Sequence, residues 1–145
     1  MQPNVYSFEN TSIILSHPNG GQFQFNGTGT GQAIVGRTGE RTVHQVGADG
    51  VTMVSKVIVR NGQITIQVQQ ASLGHKFMQD LYNFLDVSDA SEWALATILI
   101  QNPMLGITHT ATGVSPQKVP DQDNQAQGQM ISWVWMCAEI HTETI

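Results

Sequence analysis

Apolar and polar residues alternate along much of the chain, with the two-residue period that is typical of β-strands. The segment Gln22-Phe23-Gln24-Phe25-Asn26 shows this alternation most cleanly. A second strand candidate precedes it over residues 5–16, and the turn-forming segment His17-Pro18-Asn19-Gly20-Gly21 separates the two. The pattern therefore predicts a β-hairpin near the amino terminus.

A further hairpin is predicted over residues 51–71. Its two halves, 51–60 and 63–71, flank Asn61-Gly62, a dipeptide favoured in two-residue type I′ turns. Counting outward from this turn gives one apolar and one polar face. The apolar face is predicted to hold Val57, Val59, Ile64, Ile66 and Val68. The polar face is predicted to hold Lys56, Arg60, Gln63, Thr65, Gln67 and Gln69, with Val54 and Ile58 among them.

One amphipathic helix is predicted, over about 72–86. Ser72 is a suitable N-cap residue, and the apolar positions that follow recur every four residues. They are Leu73, Phe77, Leu81 and Leu85, with Met78 and Phe84 beside them.

The carboxyl-terminal third returns to strand periodicity. Residues 94–100 and 105–112 form a predicted hairpin, and 130–140 is the last predicted strand. Between them, 115–129 is rich in Gln, Asp and Pro, which favours a loop. The chain therefore has the pattern of a mainly β protein with a single flanking helix.

Residues 26–50 interrupt the alternation with seven glycines. Short β segments are possible at 33–35 and 42–46, and the rest is predicted to be a long flexible arm or loop. Loops of this length in a compact domain are usually functional or disordered. The charged residues of the predicted arm are Arg37, Glu40, Arg41 and Asp49.

The length of 145 residues suits one domain, 1–145, which buries about two-thirds of its unfolded surface. Charged residues make up only 12%, and the net charge is −5, which argues against binding nucleic acid by neutralising phosphates. The single cysteine, Cys137, excludes an internal disulfide and is expected to be a buried, inert thiol. The start of the sequence lacks the features of a secretory signal, and no apolar run is long enough for a membrane span.

Catalytic and cofactor motifs do not emerge from the residue pattern. The glycines of 27–31 lack the following helix and spacing of a dinucleotide fingerprint. The five histidines show no short metal-ligand spacing, so neither a metal nor a cofactor is expected, and an enzyme is not predicted. Trp133 and Trp135 lie on one strand face, which leaves a carbohydrate-binding module as an alternative.

The centre of the chain, about 49–85, resembles a known family. Asp49-Gly50, Met53-Val54-Ser55-Lys56, Arg60-Asn61-Gly62 and the segment from Ile64 to Gln69-Gln70-x-Ser72, followed by His75, are similar to the tail tube proteins of contractile-tailed bacteriophages. The resemblance implies a β-sandwich or barrel-like subunit with a flanking helix. It also implies hexameric rings that stack into a tube inside a contractile sheath, with double-stranded DNA passing through the lumen during ejection.

The same resemblance implies partners and a location. The subunit would contact copies of itself, the tail sheath, the baseplate and the tail terminator, and it would lie in the virion after assembly in the host cytoplasm without inserting into a membrane. Phage-like bacteriocin and secretion particles share this architecture and remain an alternative. Two strands from each of six subunits give a barrel of roughly 24 Å, too narrow for a duplex, whereas four give roughly 47 Å. The polar face of 51–71 is therefore expected to share the lumen with the 94–112 hairpin, through Thr108, Thr110 and Thr112.

Overall fold

The computed structural model describes residues 3, 6–8, 11–25 and 29–144, and this part of the chain is mainly β, as predicted. The strands are β1 (Ser12–His17), β2 (Gly21–Phe25), β3 (Thr30–Arg37), β4 (Thr42–Val46), β5 (Thr52–Lys56), β6 (Gly62–Gln69), β7 (Ala96–Asn102), β8 (Ile107–Pro116) and β9 (Met130–Thr144). One helix, α1 (Leu73–Val87), and a single 3₁₀ turn (Ala90–Glu92) join β6 to β7.

Seven of these strands form one curled, half-barrel sheet in the order β2-β1-β7-β8-β9-β6-β3. All of its neighbouring strands are antiparallel. The predicted hairpins β1–β2 and β7–β8 are confirmed, and so are the loop after β8 and the last strand. Residues 5, 9 and 10 of the first strand candidate and 26–28 of the predicted arm lie outside the described residues.

The strand pairings define two ends of the sheet. At the arm end, Arg37 of β3 pairs with Gly62 of β6, and segment 38–61, which we call the arm, leaves the sheet there. The predicted arm began at residue 26, but Thr30–Arg37 is strand β3 of the large sheet. At the loop end, β6 and β9 pair through Gln69 and Met130, and segment 117–129, which we call the acidic loop, joins β8 to β9. The helix also connects strands at the loop end.

The inner face of the sheet carries the core. Alternate residues of β6 and β9 are fully buried there, so the period-two pattern of the sequence becomes a packed layer. Each large apolar side chain in such a layer contributes about 1.5–3 kcal/mol. The central members are Ile64, Ile66, Val68, Trp133 and Trp135, with Ile13 and Leu15 from β1 and Ile98 from β7.

Helix α1 covers this core, and its predicted position is confirmed. The Ser72 hydroxyl accepts a hydrogen bond from the His75 backbone N–H at 3.2 Å, which makes Ser72 the N-cap. The predicted apolar face is correct at Leu81 and Leu85 but wrong at Leu73, which is 72% exposed. The buried stripe instead begins at Gly74, where an added Cβ would lie 2.6 Å from the Phe25 ring. Close helix-to-sheet approach, rather than residue hydropathy, sets the face in the first turn.

The predicted hairpin over 51–71 is wrong. Strand β5 pairs with β4 in a separate two-stranded ribbon, whereas β6 lies between β9 and β3 in the large sheet. Neither Asn61 nor Gly62 has the positive φ that a type I′ turn requires. The ribbon turns instead near Asp49-Gly50, where Gly50 has a φ of 84°.

Glycine at 62 serves strand packing rather than a turn. A Cβ there would lie 2.3 Å from the Gly36 carbonyl oxygen and 2.6 Å from the Ile140 side chain. The β6 half of the predicted apolar face is nevertheless correct, because Ile64, Ile66 and Val68 are fully buried. Val57 and Val59 do not belong to that face, since both lie in the irregular segment between β5 and β6.

Candidate assembly surfaces

The outer face of the large sheet brings together polar side chains that were predicted on separate hairpins. Alternate β6 residues, Gln63, Thr65, Gln67 and Gln69, lie on the same face as the β8 threonines, with β9 between them. Thr65 of β6 pairs with Val134, and Thr110 of β8 pairs with His141. Gly113 of β8 and Ala138 of β9 are both left out of the regular pairing, so the residues on either side of this irregularity remain paired across the two strands. The strands approach closely there, since an added Cβ at Gly113 would lie 2.6 Å from the Ala138 side chain.

We call this surface the polar outer face. Glutamine, serine and threonine dominate it, and the described strands place no lysine or arginine on it. Its ionisable groups among the described strand residues are Glu139, Glu143 and His141, and His141 Nε2 lies 3.4 Å from Glu143 Oε1. The polar residues of the face are Ser12, Ser16, Gln22, Gln24, Gln32, Gln63, Thr65, Gln67, Gln69, Thr97, Gln101, Thr108, Thr110, Thr112, Ser115 and Ser132.

Lys56 and Arg60 do not lie on this face. Lys56 ends β5 of the ribbon, where it pairs with Thr42, and Arg60 lies in the segment between β5 and β6. Both were predicted on the polar face of the 51–71 hairpin, with Arg60 opposite Gln63, and the structure does not contain that hairpin. The strand pairing thus separates the two cations from the neutral residues that were predicted beside them.

The arm exposes an unusual amount of apolar surface. Its β4–β5 ribbon is closed at the base by a hydrogen bond from the Val57 backbone N–H to the Arg41 carbonyl at 2.8 Å. All residues from 40 to 54 are exposed. Extensive exposed apolar surface marks interaction sites more often than single exposed apolar residues do. The exposed apolar side chains are Val43, Val46, Val51, Met53, Val54, Val57 and Ile58, and Ile58 is 71% exposed.

The four charged residues predicted for the arm have separate roles within the chain. Arg37, at the end of β3, donates from Nη1 to the Ile140 carbonyl and from Nη2 to Thr142 Oγ1, both at 2.7 Å. Arg41 Nε donates to the Val57 carbonyl at 2.7 Å. Asp49 Oδ1 accepts from the Val51 N–H at 3.1 Å and so stabilises the ribbon turn. Glu40 is exposed, and none of the four forms an ion pair among the described residues.

The apolar residues of the arm were not identified as functional from sequence. Their signal is visible in retrospect: residues 51–59 are apolar at both odd and even positions, so a two-stranded ribbon has no face on which to bury them. A strand of the core would have shown the same run. Only the pairing of β5 with β4 distinguishes the two cases.

The tryptophans cannot form a carbohydrate platform. Trp133 and Trp135 are both fully buried, with stacked rings whose centroids are 5.9 Å apart. Trp133 Nε1 donates to His75 Nδ1 at 3.1 Å, which connects β9 to the helix. The carbohydrate-binding alternative is therefore wrong in the form in which it was predicted, since both indoles belong to the core.

Among the described residues, no cluster of three or more metal-ligating side chains occurs. In the same part of the chain, no helix is both long and apolar enough to cross a membrane. Cys137 is buried, as expected, and burial raises the pKa of its thiol to about 11, an effect that a backbone hydrogen bond from Ile64 reduces. A thiol with this pKa is a poor nucleophile near neutral pH.

The described chain combines a curled sheet, which has a packed inner face and a polar outer face, with an arm that exposes apolar side chains. The family model of the bacteriophage PhiTE tail tube protein matches residues 4–144. The chain belongs to this family of structural tail tube proteins, which confirms the resemblance seen in its central segment. The sequence has no significant match among curated proteins.

Solved structures of contractile injection particles have the same fold. A chain from the anti-feeding prophage baseplate, 6-fold symmetrised, aligns with a TM-score of 0.62 and 12% identity over 99% of this chain and 98% of its own. A chain from the anti-feeding prophage tube-terminating cap aligns with a TM-score of 0.60 and 10% identity, over 100% and 94%. A chain from the PVC extracellular contractile injection system, in its extended sheath-tube complex, gives 0.55 and 12%, over 92% and 88%. At these identities the similarity establishes the fold.

Proposed function

We propose that the protein is the tail tube subunit of a contractile-tailed phage, with six copies in each ring, stacked rings forming the tube, and duplex DNA passing along its axis during ejection. The observation that carries this proposal is the contrast between the two faces of a single sheet. Its inner face packs into the hydrophobic core, whereas its outer face is polar and, in the described strands, free of lysine and arginine. A DNA conduit requires such a wall, because cations would hold the phosphates.

The lumen is built from neighbouring strands of the polar outer face. Strands β8, β9, β6 and β3 are adjacent in the sheet, so each copy offers four strands to a shared barrel. Twenty-four strands tilted by about 40° give a backbone diameter of roughly 47 Å, which leaves room for a duplex. In this arrangement Gln63, Thr65, Gln67 and Gln69 face the lumen together with Thr108, Thr110 and Thr112. Lys56 and Arg60, which belong to the arm segment, are left off the wall.

Assembly would cover the open sheet edge of the lumen wall. Among the described residues, β3 pairs only with β6 and so leaves one edge of the four-strand wall unpaired, whereas β8, at the other border of the wall, also pairs with β7. Unpaired edges promote association with other strands, and closure into a ring removes them. Six-fold symmetry is carried over from the anti-feeding prophage baseplate chain, whose structure is described as 6-fold symmetrised.

The arm makes contacts between subunits or between rings. Its apolar side chains are exposed in the single chain, and burial against a neighbouring copy stabilises an interface by about 25 cal/mol for each Å² of apolar surface removed from water. Arg37, Glu40, Arg41 and Asp49 contribute the polar part of this interface. The tube would further contact sheath, baseplate and terminator proteins in a virion assembled in the host cytoplasm.

A phage-like injection or bacteriocin particle is the second candidate. The structural similarity to the anti-feeding prophage and to PVC favours it, since PVC is an extracellular contractile injection system. The subunit physics is the same in the two cases. Isolation of the native particle distinguishes them, because only a phage carries packaged DNA.

Electron microscopy of the purified chain tests the proposal. We expect hollow tubes of uniform width from the wild type. The double variant Val46→Thr, Ile58→Thr should stay folded by circular dichroism but form no long tubes, because it removes apolar contacts from the arm. The matched control is Leu73→Thr, Val87→Thr, which changes two side chains that are 72% and 84% exposed on the helix. A stable monomeric wild type, or equal tube growth from both double variants, would contradict the proposal.

A further inference from the structure

Three of the six lysine and arginine residues of the chain converge on one cleft at the base of the arm. Arg37, Arg41 and Arg60 line this cleft, which has a volume of about 270 Å³ and which we call the arginine cleft. Gly39, Val59, Ile140, His141 and Thr142 complete its lining. In a chain with only 12% charged residues and a net charge of −5, such a concentration of positive charge is exceptional.

The guanidinium groups in the arginine cleft have no carboxylate partner within the described chain. The ion pairs among the described residues have histidine as the cation, His17 with Glu92 and His141 with Glu143, and none includes an arginine. Arg41 uses only its Nε, and the Arg60 side chain makes no hydrogen bond to any described residue. Arg37 is held against β9, and its charge contributes to lowering the pKa of nearby His109. The cleft therefore presents several unused N–H donors in the fork arrangement that binds carboxylate or phosphate groups.

Six of the ten Asp and Glu residues among the described residues lie toward the opposite end of the sheet, and the other four, Glu40, Asp49, Glu139 and Glu143, lie toward the arm end. Helix α1, the 3₁₀ turn and the acidic loop all lie in connections at the loop end. Residues 121–128 of the acidic loop are exposed, so this segment can enter a cleft on another molecule. Asp123 is engaged with the Gln125 side chain, whereas the Asp121 carboxylate has no partner among the described residues. The acidic residues at this end are Asp80, Asp86, Asp89, Glu92, Asp121 and Asp123.

We propose that the arginine cleft receives the acidic loop of a second copy stacked end to end, with Asp121 as the carboxylate that enters it. The inference rests on the proposed tube function and adds the polarity of stacking. Because the basic and acidic surfaces are at different ends of one subunit, the contact is heterologous and continues from copy to copy, as a filament requires. Charge complementarity of this kind fixes orientation and register.

Phosphates of the passing DNA are the alternative ligand, and the position of the cleft disfavours them. Ile140 and Thr142 contribute to the cleft and belong to the inner side of β9, because Ala111 and His109 are their partners on β8. The polar outer face, which we propose lines the lumen, is the opposite side of the same strands. Of the β9 residues that line the cleft, only His141 belongs to the polar outer face, so most of the cleft opens at the arm end on the inner side, where a neighbouring subunit can reach it.

Charge reversal tests the inference. We expect Arg60→Glu and Asp121→Arg each to raise the critical concentration for tube growth at least tenfold in low salt, while both monomers keep wild-type circular dichroism and melting temperature. The double variant Arg60→Glu, Asp121→Arg should recover most of the growth, because it restores opposite charges across the contact. Lys76→Glu, which makes the same charge change on the exposed face of the helix, should grow like the wild type. Wild-type growth should weaken as salt rises.

The outcomes separate this inference from the proposed function. If the wild type forms normal tubes and Arg60→Glu grows as well as Lys76→Glu, only the stacking contact is overturned. The same holds if the double variant grows no better than either single variant. Binding of a 20-base-pair duplex to wild-type monomers, lost in Arg60→Glu while tube growth stays normal, would likewise overturn it in favour of phosphate. Wild-type protein that never forms tubes would overturn the proposed function and this contact together.

Discussion

His109 shows how the fold changes the chemistry of one residue. It lies on the inner side of β8, with Nδ1 2.8 Å from Thr142 Oγ1. Burial lowers the pKa of His109 below its usual 6.5, and the positive charge of Arg37 lowers it further. The neutral imidazole is therefore the form that the folded chain favours.

Stability should depend on the protonation of His109. Because its pKa is lower in the folded chain than in the unfolded one, the unfolded chain takes up the proton first as the pH falls below about 6.5. The free energy of unfolding should therefore decrease modestly over the pH range beneath that value. His109→Gln, which keeps a hydrogen-bonding group for Thr142, should show a smaller decrease between pH 7.5 and 5.5 in urea titrations. An unchanged pH dependence in the variant would exclude His109 as the cause.

Strand β6 expresses the alternating pattern most directly, and adjacent residues on it should respond oppositely to the same change. Ile66→Asp places a carboxylate at a fully buried position, which costs several kcal/mol and should prevent folding. Gln67→Asp places it on the polar outer face and should leave a folded subunit. Circular dichroism and thermal melting distinguish the two. Similar behaviour of both variants would contradict the assignment of faces.

The same strand shows what the sequence could and could not predict. Alternation correctly separated Ile64, Ile66 and Val68 from Gln63 and Thr65, because the period depends only on local backbone geometry. Partner choice is not local. Two turn signals, Asp49-Gly50 and Asn61-Gly62, compete for the strand between them, and the structure uses the first.

The candidate surfaces were predictable to different degrees, because the facing of a side chain is local whereas the choice of partner strand is not. The threonines of β8 and the glutamines of β6 could be assigned to polar faces one strand at a time, but their union on one surface depends on β9, which pairs with both. The arginine cleft joins residues 37, 41 and 60 through the path of the arm, which no local pattern contains. Side-chain facing was therefore predictable, whereas the convergence of distant segments was not.

At the scale of the whole molecule, the absence of lysine and arginine from the described polar outer face has a measurable consequence. We expect Gln63→Lys to form tubes of normal width that retain duplex DNA, because six added cations per ring would face the passing phosphates. Asn83→Lys, an equal charge change on an exposed helix position, should not retain DNA. Co-sedimentation of labelled duplex with purified tubes measures the difference. Equal retention by both variants would argue that β6 faces away from the channel.

The hydrogen-bonded base of the arm allows the length of the ribbon to differ between related proteins. One backbone hydrogen bond, from the Val57 N–H to the Arg41 carbonyl, and one from the Arg41 side chain to the Val57 carbonyl close the ribbon before the chain re-enters the sheet, and Thr42 pairs with Lys56 directly beyond them. Residues can therefore be gained or lost in cross-strand pairs at the ribbon tip while the core keeps its register. In the proposed tube, a longer or shorter ribbon would change the reach of one subunit toward the next, and with it the axial repeat, without altering the bore.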